Sequence, residues 1–386
     1  MSEKVSVLFA IPVGGVDDAA IEETQRAIDA QSYPQALIEV VRIEYVSQAL
    51  GAHAAALNAA REGATGEWIV HVEPGVVWDS NKLERQIRQV RADPSLDGCV
   101  HQMTRRLESG RSVSAGFASI KTYGFQIGCL LHAPWGLGAA MVSREATIRA
   151  GAYRSVDEVL WEYAIRLIHR GLRLGMIDDD LAIWHTDVAT RLGKVEGRRV
   201  LVPEGVRHRF LKSYVDRCGL ETLFSDLSLV SEPDGHLVLA GLHHSNDDLE
   251  TSHAICQAVG SNSKAANYWH GVMHRREPDF DNARGWFERA EGLEALQQIR
   301  GEVGRVLQQV LQVPDYGEAR EDALLMFRHL QDRGTWDPFY FLDLCEVHRV
   351  KQGSGKLGRL LEEIQEAEFR ALFDWTFRQA VGRNDL

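Results

Sequence analysis

The run Val5-Ser-Val-Leu-Phe-Ala-Ile-Pro-Val13 stops at Gly14-Gly15 and gives way, after Asp17-Asp18, to the helical stretch Ala19–Ala30. β-Branched and apolar residues favour an extended strand, the glycines allow a sharp turn, and an aspartate can cap the first amides of a helix. Strand, glycine turn, helix is the opening unit of a parallel α/β sheet, and the chain repeats it. Ile38–Val46 reads as a second strand, Ala52–Glu62 as an alanine-rich helix, Glu67–Glu73 as a third strand, Asn81–Val90 as a helix and Gly98–His101 as a further strand. Alternation at this short spacing implies right-handed crossovers, with ligands bound at the carboxyl ends of the strands. Beyond it, Gly110–Gly124 is polar and glycine-containing and reads as an insertion or lid. Ile127–Leu131 then reads as a strand, Ser143–Ala150 and Val156–Arg170 as helices, and Leu172–Trp184 as a closing pair of strands.

From about Pro203 the pattern changes to long amphipathic segments: Arg209–Cys218, Leu249–Val259, Ala265–Arg275, Ala283–Ala290, Leu293–Val313, Ala319–Gln331 and Leu357–Val381. Apolar positions recur at three- and four-residue spacing, as in Ile299, Val303, Val306, Leu307, Val310 and Leu311, which is the stripe of a helix packed on a core. The expected organisation is therefore an α/β domain over 1–205, a mixed sheet with flanking helices, and a mainly α-helical domain over 206–386. Consecutive helix pairs would suit a small repeat array, although no fixed period is present.

A chain of 386 residues has length for about two cores of 100–200 residues. With Lys+Arg 43 against Asp+Glu 55, its net charge of -12 argues against a protein built to neutralise the phosphates of nucleic acid or a membrane. The five cysteines are scattered and never in a CxxC pair, so neither a disulfide framework nor a thiolate zinc site is expected. Val5–Val13 is too short and too thinly flanked by basic residues for a signal peptide, and no apolar stretch reaches the roughly 18–20 residues of a membrane span. A cytoplasmic protein with no integral membrane segment and no nucleic-acid partner is the expectation.

Six local patterns follow one another in the first half: the strand Val5–Val13; Ala27-Ile-Asp-Ala-Gln-Ser-Tyr-Pro34; Gly51-Ala-His-Ala-Ala-Ala-Leu-Asn-Ala-Ala60; Gly66-Glu-Trp-Ile-Val-His-Val-Glu-Pro-Gly75; Lys82-Leu-Glu-Arg-Gln-Ile87; and Ser143-Arg-Glu145 with Arg166-Leu-Ile-His-Arg-Gly171. In this order, over roughly residues 4–190, they resemble the family-2-type glycosyltransferases with the GT-A fold. The resemblance implies transfer of a sugar from a nucleotide-diphosphate donor to an acceptor that the sequence does not identify. Such chemistry needs positive charge, a metal or helix N-terminal amides on the diphosphate, and a carboxylate to take the acceptor's proton.

Carried onto this chain, the resemblance places the nucleoside at the turn Pro12-Val13-Gly14 and at Glu44, and the diphosphate near His53, with Asn58 and Glu73 completing the donor contacts. Mn²⁺ or Mg²⁺ would be held by Glu73 with His185, joined by His71. The family's Asp-x-Asp is here Glu73-Pro74-Gly75, so one carboxylate stands and the second is a glycine. The family's Glu-Asp, counted back from Arg166, falls on Val159-Leu160, flanked by Asp157, Glu158 and Glu162 as candidate bases. Those three also read as ordinary acids favoured at a helix N-terminus. With these departures, a catalytically degenerate scaffold serving as a binding module is the alternative.

The segment Asn267–Phe287 is the densest chemistry elsewhere. His270 and His274 are four apart and share a helix face, Glu277 lies three further on, and Glu250 and His253 stand three apart in Leu249–Val259. Packed together, these helices would offer His253, His270, His274, Glu277 and Glu250 to Zn²⁺, Fe²⁺ or Mn²⁺. The segment resembles an uncharacterised family marked by YWHxxxHRrEpDxxNAxxWF over roughly 235–300, which implies no activity. Read as packing, Arg275 or Arg276 pairs with Glu277 or Asp279, Asn282 caps Ala283–Ala290, and Tyr268, Trp269, Trp286 and Phe287 are core. A P-loop, a Gly-x-Gly-x-x-Gly fingerprint, a nucleophile elbow and His-Glu-x-x-His are all missing from the sequence.

Overall fold

The computed structural model describes residues 3–14, 16–46, 49, 51–106, 112–114, 117–131, 138–185, 200–312, 316–317, 319–350 and 355–383. The chain divides into two compact units, Met1–Glu196 and Gly197–Leu386.

In the first unit the elements run β1 (Val5–Val13), α1 (Asp18–Asp29), β2 (Ile38–Val46), α2 (Ala52–Gly63), β3 (Trp68–Val72), β4 (Val76–Trp78), α3 (Lys82–Ala92), β5 (Gly98–Arg106), β6 (Ser112–Ser114), α4 (Phe117–Leu131), β7 (Ala140–Ser143), α5 (Arg144–Ala150), α6 (Val159–His169) and β8 (Leu174–His185). They build a mixed sheet of order β2-β1-β3-β7-β5-β8-β4, with β6 paired to β5. β1 runs parallel to both β2 and β3, β7 is antiparallel to its two neighbours, and β5 is parallel to β8. This is the α/β class with flanking helices that the opening pattern predicts. β1 is buried from Val5 to Pro12, as a central strand covered on both faces must be, and only Val13 emerges. Asp17 caps α1 by accepting from the Ala19 amide at 3.0 Å.

Three local expectations fail. Ile127–Leu131 is not a strand but the end of α4, whose Ile127, Cys129, Leu130 and Leu131 are all buried. A short apolar run buried all round carries no period by which helix and strand can be told apart. Gly124, with φ +77°, breaks α4 into two segments, and a Cβ on Gly128 would lie 2.8 Å from the Ile120 backbone, so the segments fold tightly on each other. The expected lid over Gly110–Gly124 is thus partly helix and partly the strand β6, while 110–111 and 115–116 lie outside the described residues. Leu172–Trp184 forms one strand, β8, rather than a pair.

The second unit is helical: α7 (Arg209–Val215), α8 (Leu220–Leu223), α9 (Glu232–Ser245), α10 (Leu249–Val259), α11 (Lys264–Arg276), α12 (Phe280–Arg289), α13 (Ala295–Gln312), α14 (Ala319–Arg333), α15 (Pro338–Val350) and α16 (Lys356–Val381). α8, α9 and α15 add to the predicted set. Along α9, Leu237, Val238, Ala240, Gly241, Leu242, His243 and His244 are all buried, and a helix covered on every side shows no stripe.

The core of this unit is aromatic and holds charges. Tyr268 and Trp269 are fully buried; the Tyr268 hydroxyl donates to Glu368 Oε1 at 2.6 Å and Trp269 Nε1 to Thr376 Oγ1 at 3.1 Å. Arg275 pairs with Glu368 across the core, and Arg276 pairs with Asp247 at 2.5 Å. Both arginines therefore take distant partners instead of the expected Glu277 and Asp279, because α11 turns them inward while the two acids stay at its exposed end. Asn282 does not cap a helix: α12 already begins at Phe280, and the Asn282 amide turns toward His274. Among the described residues no helix is long and apolar enough to cross a membrane.

Candidate functional site

The parallel register places Pro12 opposite Tyr45 and Val13 opposite Val46, and sets Phe9 against Val72. The carboxyl ends of β1, β2 and β3 therefore open at one end of the sheet, the position where α/β folds bind ligands. Gly14 takes φ +80° directly after β1, a left-handed turn that a glycine adopts without strain.

Two of the expected donor residues meet here. His53, in the first turn of α2, directs Nε2 to Oε1 of Glu73 at 3.3 Å, and Glu73 is 1% exposed just past β3. The imidazole stacks on Tyr45, ring centroids 4.6 Å apart and planes at 13°. Burial, and after it the Glu73 carboxylate, push the Tyr45 hydroxyl well above its ordinary range, so it stays protonated. α2 starts at Gly51 in the left-handed conformation, φ +79°, with no side chain capping its first amides. The positive end of the helix dipole thus lies beside His53, while the Ala52 amide donates to the Ala49 carbonyl at 3.0 Å.

The other expected contacts are arranged differently. Strand alternation puts Glu44 on the face opposite Tyr45, exposed. Asn58 holds the backbone of Tyr153, donating to its carbonyl at 3.0 Å and accepting from its amide at 2.9 Å. That pair fixes the segment 151–158 against α2, and a Cβ on Gly51 would lie 2.5 Å from Ser155 Oγ. The segment carrying the late acids is in this way brought to the same end of the sheet.

His71 lies within the electrostatic reach of His53 and Glu73. Desolvation, and secondly His53, drive it down to about 4, so its ring is neutral at pH 7. Its Nε2 sits 2.5 Å from the Tyr153 hydroxyl. Tyr153 is pushed well above the ordinary tyrosine value by burial, so the hydroxyl keeps its proton. Tyr163 stacks on Tyr153 with centroids 4.2 Å apart.

Of the late acids, Asp157 is exposed and Glu158 half-buried in the turn before α6. Glu162 is 1% exposed and answers two guanidinium groups: Arg166 at 3.2 and 2.8 Å and Arg154 at 3.2 Å. Arg166 is itself tied to the carbonyls of Ala150 and Ala152, both at 2.7 Å. Glu162 is therefore a buried counter-charge that organises the 150–154 turn.

The expected metal set is not assembled. Gly75, where a second carboxylate would stand, has φ +87° and donates its amide to Thr24 Oγ1 at 3.1 Å. His185 ends β8 and donates its backbone amide to the Gly75 carbonyl at 3.0 Å. Among the described residues, the groups of three metal-capable side chains within 4.8 Å of one another are His253/His270/His274 and Asp216/His243/Asp248, so Glu73 and His185 belong to neither. One carboxylate already facing an imidazole does not make the oxygen-rich shell that Mg²⁺ or Mn²⁺ prefers.

In the second unit three of the predicted ligands converge. His253 of α10 lies 4.4 Å from His270 and 5.3 Å from His274 of α11, between ring centroids. Glu277, 42% exposed, stays beside them at 3.4 Å from His274 Nδ1, whereas Glu250 is exposed and outside the group. The Asp216/His243/Asp248 group was not foreseen in the sequence. Lys212 already fills it, 2.6 Å from Asp248 Oδ2 and 3.0 Å from Asp216 Oδ1, and His243 Nδ1 lies 2.8 Å from Asp248 Oδ2. An ammonium seated among two carboxylates satisfies their charge without a metal.

No protein-family model matches the chain, and no protein of curated function matches its sequence. Similar solved structures include one bound to UDP-GlcNAc and a mannosyltransferase. The S. aureus TarS 1-349 structure in complex with UDP-GlcNAc is 13% identical with a TM-score of 0.47, the match covering 74% of this chain and 90% of that one. The mannosyltransferase PcManGT from Pyrobaculum calidifontis, in complex with GDP-Man and Mn2+, is 17% identical with a TM-score of 0.36, covering 71% of this chain and 85% of that one.

Proposed function

We propose that the first unit binds a nucleotide-diphosphate sugar and transfers the sugar to an acceptor. The observation that carries this reading is the Tyr45–His53–Glu73 arrangement at the carboxyl ends of β1–β3, beside the start of α2. His53 is held by a stack on one side and a buried carboxylate on the other. The imidazole stands at the positive end of the α2 dipole, where a diphosphate would lie. The turn Val13-Gly14 and the edge of Tyr45 then receive the nucleoside.

Transfer needs a base for the acceptor hydroxyl as the bond from the anomeric carbon to the diphosphate oxygen breaks. We assign the role to Asp157 or Glu158, on the segment that Asn58 holds against α2, while Glu162 lies buried between Arg154 and Arg166. The leaving diphosphate is stabilised by the α2 amides and His53, with no step assigned to a metal. The single carboxylate at Glu73 favours a second reading, a donor-binding module without turnover.

Calorimetry and donor hydrolysis with UDP- and GDP-sugars, each with Mn²⁺ and with a chelator, test both readings. Binding that survives the chelator and weakens about tenfold or more in His53→Ala is expected, since a hydrogen bond to a charged group is worth about 1.5–3 kcal/mol. Binding without hydrolysis or transfer selects the module. No binding to any donor sinks both.

A further inference from the structure

We infer that His253, His270 and His274 form a binding site for one divalent transition-metal ion of the zinc class, held between α10 and α11. This rests on the second unit alone and is independent of the donor reading. The ligand atoms of the three side chains lie within 4.8 Å of one another. Zn–N bonds of about 2.0–2.1 Å in a tetrahedral site put nitrogens roughly 3.3 Å apart, so small rotations about χ2 close the set.

Several features distinguish the cluster from a packing network. His270 is 1% exposed, and its Nε2 has no hydrogen-bond partner among the described residues. A buried imidazole nitrogen left unsatisfied destabilises the fold unless something binds it. Its ring is already fixed, stacked on Trp286 with centroids 3.9 Å apart and planes at 7°, and it lies parallel to His274 at 5.3 Å.

Outer-sphere partners are in place as well. Glu277 lies 3.4 Å and Asp279 3.8 Å from His274 Nδ1, the carboxylate support that orients a ligating imidazole through its second nitrogen. Arg289, stacked on Trp286 at 4.4 Å, brings a positive charge toward the cluster, and the two acids offset it. The Asn282 amide, 3.2 Å from His274 Nε2, would turn aside or present its oxygen when the ion binds. Three imidazoles leave a fourth position, and because His253 is only half-buried, water or a ligand reaches it from that side. Imidazole donors favour Zn²⁺, Cu²⁺, Ni²⁺ and Fe²⁺ over Mg²⁺ or Ca²⁺.

The full chain, purified through a chelator, is titrated with Co²⁺ by visible absorption and with Zn²⁺ against a chromophoric chelator. One equivalent of either metal is expected, with the d–d bands of a low-coordinate nitrogen site and a rise in Tm. His253→Gln changes the most exposed ligand and, checked by circular dichroism, keeps the fold; it should weaken uptake at least tenfold, as should His270→Ala. If His270→Ala does not fold, His253→Gln decides. No uptake at micromolar metal, or equal uptake by wild type and His253→Gln, overturns the site.

Discussion

Lys82 opens α3 with its side chain wholly buried, its ammonium 2.7 Å from Gln86 Oε1 and 4.0 Å from the centre of the Trp78 ring. Burial lowers it from an ordinary 10.5 to about 7. Between those values the unfolded chain binds the proton more tightly than the folded one, so stability rises with pH by roughly 1.4 kcal/mol per unit across that window. Below about pH 7 the cost is present in full. Lys82→Met is thus expected to stabilise the protein by a few kcal/mol at pH 6–7, less the contact with Trp78, and the gain should fade toward pH 10. Urea unfolding of both proteins at several pH values measures it; a gain that does not change with pH would mean that Lys82 is not the titrating group. Nothing about Lys82 in the sequence announces this, because it reads as an ordinary helix-start lysine. His53 and Glu73 were legible, since each sits at a fixed distance from a motif. Tyr45 and Tyr153 were not, since their contacts with His53 and His71 join residues far apart in the chain.

Helices of the second unit approach so closely that side-chain volume is set by glycine. A Cβ on Gly241 of α9 would lie 2.7 Å from the Phe373 ring and 3.2 Å from Trp269. Gly241→Ala improves helix propensity by about 1 kcal/mol, yet overpacking a rigid aromatic core costs about 1–3 kcal/mol. The expected net result is a lower urea midpoint, and an unchanged or higher one would show that Phe373 can move aside. The same packing explains which elements the sequence revealed. α10 is recovered to the residue because one face is polar and the other apolar. α9 is hidden by burial on every side, and α4 is misread because Ile127–Leu131 is too short to show a period.

Across the whole molecule, all five cysteines are free and buried. Burial pushes Cys99, Cys256 and Cys345 up to about 12 and Cys218 to about 11, which removes the reactive thiolate at neutral pH. The native protein should therefore leave a thiol-specific chromogenic disulfide almost unreacted, and all five should titrate in guanidinium; prompt reaction of one thiol in native buffer would contradict its burial. The sequence by itself determined the class of each half, through short β-rich runs alternating with helices before about residue 205 and three- and four-residue apolar spacing after it. It also determined that His270 and His274 share one helix face, with Glu250 and His253 three apart on the preceding helix. Those are properties of local period, and local period is written in order along the chain. Only the tertiary structure decided that Glu162 is spent on Arg154 and Arg166, that Arg275 and Arg276 reach Glu368 and Asp247, and that Glu73 meets His53. A buried charge takes whichever partner the packing brings within reach, and the strands and helices that bring it are distant in sequence.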